Sequence, residues 1–322
     1  MFKNKYLSSF LLLCFAASAQ AQQYPQRPIR FVVGFAAGGP TDVIARITGQ
    51  DIGAVMGQSV IVENRPGANA QIATEMVARA TPDGHTLLFS SLSLLVNAIL
   101  LEGRAKYDPF KDFAPVSNAA VLPMVVVTGI ASKINSLKEL LALAKAKPGV
   151  VTYGAPGHGG SGHLAGALLE NLSGTKMTTI PFRGNGPALT DVISGQVTYM
   201  FYPIIGIAEF VASKRLRALA VGTAQRHADF PDTPTMGEAG FPGFEETAPW
   251  VGLLAPSGVS AAIINRLSAE MRKSLTKPDT VARTKALGAI IVAGTPAEFA
   301  QFLRKDHERW ARVIKAAGVK AE

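Results

Sequence analysis

Ser161 lies between two histidines in a glycine-rich stretch, a combination of side chains that could carry out nucleophilic chemistry. The stretch reads Gly154-Ala155-Pro156-Gly157-His158-Gly159-Gly160-Ser161-Gly162-His163. In a serine hydrolase a histidine takes the proton of the serine hydroxyl, and an acid orients that histidine. The sequence around Ser161 is G-G-S-G-H rather than the G-x-S-x-G of such nucleophiles, and acidic residues are scarce nearby. An exported hydrolase using Ser161 and His158 is therefore only the alternative hypothesis, and we expect no catalytic residue.

The elements on either side of this stretch favour a binding site instead. Residues 150–153 are mostly β-branched and predict a strand, and the apolar pattern after Ser161 predicts a helix. A strand, a glycine loop and a helix N-terminus form an anion site, because unpaired N–H groups and aligned peptide dipoles favour negative charge. We expect Ser161 to be the N-cap, with its hydroxyl and amide facing an anion. His158 is expected to reach the guest, and His163 to cap or pack the helix at the site.

A second stretch near the start of the chain has the same order of elements. Residues 31–33 predict a strand, residues 34–39 a glycine loop and Pro40-Thr41-Asp42 the first helical turn, where proline is favoured. Asp42 is expected to cap this helix and to accept N–H groups of the loop. Phe35 and Trp250 are equally compatible with a cleft wall and with core packing. Two loops of this kind predict one anionic guest that is held from two sides.

The glycines of the second loop, around His158, could also indicate a dinucleotide cofactor site. Gly157, Gly159 and Gly162 fit G-x-G-x-x-G, but a dinucleotide site wants an acidic residue ~20 positions further on. That position is close to Arg183, which suits a 2′-phosphate, a bidentate grip on a carboxylate or an ordinary ion pair. The chain has no G-K-[ST] phosphate loop and no H-E-x-x-H zinc motif. We therefore expect neither a cofactor nor a metal.

The first residues indicate export. A basic start, an apolar run over residues 7–17 and Ala19-Gln20-Ala21 predict a secretory signal peptide over residues 1–21. The apolar run is too short to span a bilayer. Cys14 is the only cysteine, and Leu13 before it is not the small residue of a lipoprotein signal. The mature chain from Gln22 is therefore expected to be periplasmic, without disulfides or thiolate chemistry.

Charge limits the class of partner. The chain has a formal net charge of +9, with 17% charged and 48% hydrophobic residues. The positive excess is modest and scattered, which suits small anions. Because there is no basic run with interleaved aromatic residues, we expect no nucleic-acid binding. We expect a monomer.

The order of the predicted elements gives the fold class. Residues 29–90 alternate as βαβαβ, which predicts a parallel sheet with helices on both faces, and residues 124–221 alternate again. We predict an α/β protein of two doubly wound lobes with a hinge and an interlobe cleft. The first lobe is predicted to comprise 22–120 and 224–322, and the second 121–223. Two crossings between lobes allow the cleft to close on a guest.

The predicted topology also places the rim of the cleft. Guests of such sheets bind beyond the carboxyl ends of the strands. The chain after Val33 and the chain after Phe89 therefore share one rim, so Ser90, Ser91 and Ser93 are expected near the first glycine loop. The rim of the second lobe is expected to carry residues 157–162, 183–186 and 201–203.

Ordered motifs along the mature chain resemble those of one family. They are Tyr24-Pro25-x-Arg27-Pro28-Ile29, Val33-Gly34-Phe35-Ala36-Ala37-Gly38-Gly39-Pro40-Thr41-Asp42, Glu63-Asn64-Arg65-Pro66-Gly67-Ala68, Pro82-Asp83-Gly84-His85-Thr86-Leu87, Tyr107-Asp108-Pro109 with Lys111-Asp112-Phe113, Ser161-Gly162-His163-Leu164-Ala165, Arg183-Gly184 and Leu216-Arg217-Ala218-Leu219-Ala220-Val221. With these motifs the chain resembles the Bug family, the extracytoplasmic receptors of tripartite tricarboxylate transporters.

The resemblance implies a periplasmic binding protein of type II-like fold that closes on an organic carboxylate without catalysis. It also implies an inner-membrane tripartite tricarboxylate permease as partner. Family members hold the carboxylate with loop amides, hydroxyls and bridging waters. The predicted ligand-binding residues, including the two strand-end serines, are Phe35, Ala37, Gly38, Thr41, Asp42, Ser90, Ser91, Gly157, His158, Gly160, Ser161, His163, Arg183, Gly184 and Tyr202.

Two positions depart from the family pattern. Tyr202 stands where members often have the acid of Met-Phe-Asp, and Gly160 stands where many have a hydroxyl residue. An acid at 202 would suit an amino group on the guest, and tyrosine lacks that charge. We therefore predict a carboxylate without a charged amine, with aromatic or bulky acids among the candidates.

Overall fold

The computed structural model describes residues 24–286 and 288–320. The predicted signal peptide lies outside these residues. In chain order the strands are β1 (Ile29–Val33), β2 (Val60–Asn64), β3 (Thr86–Ser91), β4 (Phe113–Val121), β5 (Met124–Gly129), β6 (Thr152–Ala155), β7 (Thr178–Pro181), β8 (Tyr199–Pro203), β9 (Leu216–Val221), β10 (Trp250–Pro256) and β11 (Ile290–Ile291). The α-helices are α1 (Pro40–Met56), α2 (Gln71–Ala78), α3 (Ser93–Leu100), α4 (Leu137–Ala146), α5 (Ser161–Ser173), α6 (Asn185–Ser194), α7 (Ala208–Ala212), α8 (Ala261–Thr276), α9 (Pro278–Ala286) and α10 (Pro296–Ala317).

The strands form two sheets, one for each lobe. The first has the order β11-β4-β10-β3-β1-β2, and the second has the order β7-β6-β8-β5-β9. The predicted α/β fold with two lobes is confirmed. The βαβαβ unit is parallel as expected, with β1 between β2 and β3. The sheets as a whole are mixed, because β10 runs antiparallel to β3 and β4, and β5 runs antiparallel to β8 and β9.

Apolar side chains on the strand faces build the core of each lobe. In the first lobe Phe31 stacks on Phe89 with ring centroids 5.8 Å apart. In the second lobe Phe201 stacks on Phe244 with centroids 5.6 Å apart. At the first strand's end Gly34 is required by packing, since an added Cβ would lie 2.2 Å from the Cβ of Ala70. These cores fix the strand ends from which the cleft loops begin.

Two elements were not predicted from the sequence. Helix α3 and strand β4 occupy the part of the chain that the sequence pattern left irregular. Helix α3 is apolar on almost every side, and β4 contains Pro115 together with buried Ser117 and Asn118. Neither element therefore shows the periodicity on which a sequence-based prediction depends.

The segment between β9 and β10 bears on the division into lobes. The sequence placed the return to the first lobe at residue 224. In the structure Met236 and Phe244 pack in the core of the second sheet, and Phe230 packs with its other face. Thr235 also forms a parallel bridge with Val221. We propose that the chain returns to the first lobe near Pro249.

The C-terminal helix α10 contacts both lobes. Trp310 and Ile314 pack with Leu92 and Val96 of the first lobe and with Leu164 on α5 of the second. None of the helices in the described part of the chain has the length and apolar character that a membrane crossing needs.

Candidate functional site

A cavity of about 190 Å³ lies where loops of the two lobes meet, and we call it the inner cavity. On the first lobe its wall consists of residues 35–41, Asn69, residues 91–93 and Leu122. On the second lobe and the return segment it consists of Pro156, Gly160, Ser161, residues 184–187, Tyr202, Pro203 and Pro249. Pockets for drug-sized ligands usually measure ~300 to 1,000 Å³, so this cavity suits a small guest.

Four helices begin at the wall of the inner cavity. The first residues of α1, α3, α5 and α6 are Pro40, Ser93, Ser161 and Asn185, and all four line it. At none of these four described helix starts does the side chain of the N-cap residue accept a hydrogen bond from a first-turn N–H group. The N–H groups of the first helical turns are thus left without such a partner, and the helix dipoles place partial positive charge at the same point. This arrangement favours a bound anion.

The inner cavity has polar side chains but no charged ones. Hydroxyl groups come from Thr41, Ser91, Ser93, Ser161 and Tyr202, and no described residue of the wall is Asp, Glu, Lys, Arg or His. Burial raises the pKa of Tyr202, which keeps its phenol neutral and able to donate a hydrogen bond. An anion here would be held by amides, hydroxyls and dipoles rather than by a counter-charge.

The buried carboxylate of Asp42 holds the first glycine loop in place through hydrogen bonds. Its Oδ2 accepts hydrogen bonds from the backbone N of Gly38 at 2.9 Å and from Nε of Arg46 at 2.9 Å. Its Oδ1 accepts from Nδ2 of Asn64 at 2.9 Å, and that amide also donates to the carbonyl oxygen of Phe35 at 3.0 Å. The expectation that Asp42 accepts a loop N–H is confirmed. Asp42 does not line the cavity, so it positions the loop.

The charge state of Asp42 follows from these contacts. Burial alone would raise the pKa of this carboxyl group. The hydrogen bonds from Arg46, Gly38 and Asn64, with the charge of Arg46, outweigh burial and lower the pKa below its usual value. Asp42 is therefore ionised when the loop is in place.

His163 supports the second glycine loop in a similar way. Its Nδ1 accepts a hydrogen bond from the backbone N of Gly159 at 3.0 Å, and its ring stacks on Tyr153. Burial, with a smaller contribution from His158, lowers the pKa of His163 to about 4. The imidazole is therefore neutral near pH 7, as an acceptor must be. Because Nδ1 accepts from Gly159, the ring proton of the neutral imidazole is on Nε2, and this nitrogen has no free lone pair with which to take a serine proton.

A second, larger space opens beside the inner cavity, and we call it the outer chamber. Its volume is about 690 Å³, and it shares Phe35, Ala36, Asn69, Pro156 and Pro187 with the inner cavity. The predicted residues Gly157, His158 and Arg183 line this chamber rather than the inner cavity. Nε2 of His158 lies 2.5 Å from the carbonyl oxygen of Lys320, near the end of the chain. Arg183 is exposed to solvent.

The structure separates the predicted site residues into three groups. Nine line the inner cavity: Phe35, Ala37, Gly38, Thr41, Ser91, Gly160, Ser161, Gly184 and Tyr202. Gly157, His158 and Arg183 line the outer chamber. Asp42, Ser90 and His163 lie behind the wall, and all three are buried.

One detail of the sequence prediction was wrong, since the N-cap of α5 is Gly160 and Ser161 is the first helical residue. Ser90 was expected at the rim, but it is buried behind the wall, and its hydroxyl donates to the carbonyl oxygen of Ser91 at 3.4 Å. Of the two interpretations left open for Trp250, the structure shows core packing, with its Nε1 donating to Oδ2 of Asp306 at 2.9 Å. The contact of Trp250 with Asp306 joins residues far apart in the chain, so the local sequence pattern does not contain it.

Among the polar side chains that the structure describes in the wall, the sequence analysis missed that of Asn69. Its turn is fixed by hydrogen bonds to Asn97, 28 residues further along the chain. Ser93 and Asn185 were expected at this rim, and both line the inner cavity. Asn185 begins α6, whereas the sequence favoured a start at Pro187 because proline is preferred in the first turn. The Arg183-Gly184 motif was the one available signal for that helix start. Within the described residues, no group of three His, Cys, Asp or Glu side chains could hold a metal ion.

Comparison with known proteins agrees with this geometry. The family model for the tripartite tricarboxylate transporter family receptor matches residues 44–319. Protein BugT of Bordetella pertussis is 36% identical over 306 residues, covering 95% of this chain and 94% of its own. The periplasmic binding protein BugD has a similar structure, with a TM-score of 0.87 at 32% identity over 93% of this chain and 100% of its own.

A further solved structure contains a ligand. It is an R. palustris protein with adipate, which has a TM-score of 0.88 at 30% identity and covers 92% of this chain and 99% of its own. Its fold and that of BugD match this chain over both lobes. These proteins are solute-binding receptors and not enzymes, which excludes the hydrolase alternative. The chain therefore belongs to the Bug family of receptors of tripartite tricarboxylate transporters.

Proposed function

We propose that this receptor captures an organic carboxylate with the carboxylate group seated in the inner cavity. The observation that carries the proposal is the convergence of four helix N-termini on a cavity wall without charged side chains. A carboxylate accepts hydrogen bonds from first-turn N–H groups and from the hydroxyls of Thr41, Ser161 and Tyr202. The adipate of the R. palustris relative is a guest of this class.

The remainder of the guest is proposed to extend toward the outer chamber. Arg183 lines that chamber and is exposed, so its guanidinium group can reach a distal polar group of the guest. Tyr202 replaces the acid that would pair with an amino group, so the preferred guest lacks an ammonium. Equal or tighter binding of aspartate or glutamate than of every unaminated acid would contradict this preference.

The experiment for the inner cavity is isothermal titration calorimetry on Ser161→Ala with the tightest-binding acid of a carboxylate panel. Loss of one hydrogen bond to a charged group should weaken binding by ~1 to 3 kcal/mol. Ser257→Ala is the matched control, because Ser257 is exposed and lines neither cavity. Unchanged affinity in Ser161→Ala would remove this hydroxyl from the site.

We further propose that the receptor acts as a monomer in the periplasm and passes its guest to an inner-membrane tripartite tricarboxylate permease. The family membership and the predicted signal over residues 1–21 support this route. The intact mass of protein from a periplasmic extract should correspond to a chain that begins at Gln22. Light scattering should give the mass of one chain with and without guest.

A further inference from the structure

The positive charge of the chain is concentrated in its last three helices. Residues 261–317, which contain α8, α9 and α10, include eleven Lys and Arg against five Asp and Glu. Residues 22–260 include eighteen Lys and Arg against seventeen Asp and Glu. The excess is therefore not scattered along the chain as we expected, and a local excess of one sign indicates an electrostatic interaction surface.

Helix α10 presents much of this charge on one side. Lys305, Arg312 and Lys315 are exposed, and they lie seven and three residues apart, spacings that bring side chains to the same side of a helix. The opposite side of the helix is buried and includes Trp310 and Ile314. We call the three cations the basic stripe, and it extends over ~15 Å of the helix axis.

The cations of the basic stripe are not neutralised within the protein. None of the three forms an ion pair among the described residues, whereas Arg309 on the same helix is paired with buried Asp306. Glu308 is the one exposed acid between them, and Arg304 beside the stripe adds a positive charge above the ring of Phe110. The stripe is therefore available to an anionic surface outside the protein.

The basic stripe extends from the first lobe to the second. The start of α10 packs in the core of the first lobe through Phe299 and Leu303. Its end packs with Leu164 of the second lobe, and Nδ2 of Asn171 in the same lobe donates to the carbonyl oxygen of Ala316 at 3.0 Å. A surface that binds the stripe would therefore lie along both lobes.

The composition of this side of α10 indicates the kind of partner. The centre of a protein–protein interface usually contains aromatic or other large apolar side chains and few charges. None of the exposed large hydrophobic residues that the structure describes is on α10. A row of cations without an apolar centre suits a diffuse anionic surface instead, and phospholipid headgroups form such a surface.

We propose that the basic stripe docks the receptor reversibly on the anionic phospholipid surface of the inner membrane. The attraction is electrostatic, so α10 lies along the headgroups and inserts no segment into the bilayer. The choice of this membrane rests on the proposed function, because the permease that receives the guest lies in it. Docking would keep the loaded receptor close to that permease.

Vesicle flotation of the chain from Gln22 onward tests the docking. Vesicles of phosphatidylcholine with and without phosphatidylglycerol would be compared at ~10 mM and ~150 mM salt, where the Debye length is ~30 Å and ~8 Å. The protein should bind the phosphatidylglycerol vesicles at the lower salt and should not bind phosphatidylcholine alone. Its affinity should fall at least about tenfold at the higher salt, because screening weakens the attraction.

A triple variant locates the docking surface. Lys305→Gln, Arg312→Gln and Lys315→Gln together remove three charges from α10 and should reduce vesicle affinity at least about tenfold. Glutamine is a good helix former, so the helix should remain intact. None of the three residues lines either cavity, and calorimetry should give the guest affinity of wild type.

The matched control removes the same charge from the second lobe alone. It changes three exposed lysines in and directly after α4, Lys138→Gln, Lys145→Gln and Lys147→Gln. Its net charge equals that of the α10 variant, so a difference between the two reports position and not total charge. The control should bind vesicles within about twofold of wild type.

Three results would overturn the proposal. They are absence of binding to phosphatidylglycerol vesicles at the lower salt, equal losses in the two triple variants, and binding only to native inner membranes that is lost after protease treatment of those membranes. The last result would identify an acidic protein surface as the partner. The vesicles contain no guest and no permease, so failure of wild type to bind any carboxylate would overturn the proposed function without changing the vesicle result.

Discussion

Asp42 shows how one buried side chain sets the geometry of a loop that forms the cavity wall. Asp42 is 2% exposed, and its two oxygens accept three hydrogen bonds, from Gly38, Arg46 and Asn64. Asp42→Ala should lower the free energy of unfolding by ~2 to 4 kcal/mol, because hydrogen bonds to a charged group are lost and buried donors are left unpaired. Guest affinity should fall at least about tenfold as the loop loosens.

Urea unfolding and calorimetry would measure these two effects. Asp232→Ala is the matched control, since that aspartate is exposed and lines neither the inner cavity nor the outer chamber. It should change neither quantity. Full guest affinity in Asp42→Ala would show that the loop keeps its shape without this carboxylate.

His163 makes the stability of the protein depend on pH. Its folded pKa of about 4 lies below the ordinary value of 6.5, so the unfolded chain binds the proton first as pH falls. Its contribution is fully present above pH 6.5 and is lost as pH falls toward 4, on the order of 3 kcal/mol in total. In His163→Asn the amide oxygen can still accept from Gly159 but does not titrate. Urea unfolding from pH 7 to pH 4 should show a shallower loss for the variant, and identical slopes would contradict this role.

Helix α5 acts on the cavity as a whole element. The dipole of the helix places partial positive charge at its N-terminus, although no charged side chain is present there. In Ser161→Asp the new carboxylate lies where the guest's carboxylate is proposed to bind. It should stabilise the empty protein by ~0.3 to 1 kcal/mol through the helix dipole. It should also abolish measurable binding, since the site is filled and like charges repel.

Thermal unfolding and calorimetry on the same samples would show these opposite effects. Ala261→Asp provides the control, because Ala261 is the first residue of α8 and lies outside the cavities. There the stabilisation should appear without any loss of binding. Retained carboxylate binding in Ser161→Asp would argue against an anion at this helix N-terminus.

At the scale of elements, the sequence predicts the helices and strands whose signals lie within a short stretch of the chain. The helices that begin at Pro40 and Ser161 follow a strand and a glycine loop, and that order is visible in the residues. The position of Asn69 depends on a hydrogen bond to Asn97, 28 residues further on, and no local pattern contains it. Strand β10 inserts antiparallel between β3 and β4 from far along the chain, so the mixed sheet could not be predicted either.

At the scale of the whole molecule, helix α10 connects the lobes behind the cavity. Trp310 is 1% exposed and packs in one cluster with Leu92 before α3 and Leu164 in α5. Both of those helices begin at the cavity wall. Trp310→Ala should lower the free energy of unfolding by ~3 to 5 kcal/mol and should weaken guest binding, because two helix N-termini lose their common support.

Urea unfolding and calorimetry test this connection. Trp310→Phe retains most of the apolar contact and should lose less in both measurements. Phe302→Ala is a second comparison, because Phe302 lies on the same helix but packs in the first lobe alone. It should cost stability with little effect on affinity. Equal losses of affinity in Trp310→Ala and Phe302→Ala would show that the interlobe contact has no special part in binding.

In the proposed complex, helix N-termini and hydroxyl groups bind the carboxylate of the guest without a charged side chain beside it. The most direct measurement is calorimetry of the chain from Gln22 onward with the tightest acid from a panel of mono-, di- and tricarboxylates and aromatic acids, and then with its amide of the same shape. We predict that the acid binds and that the amide binds at least about a hundredfold more weakly, since it brings no negative charge to the helix dipoles. Equal binding of acid and amide, or no binding by any acid, would contradict the account.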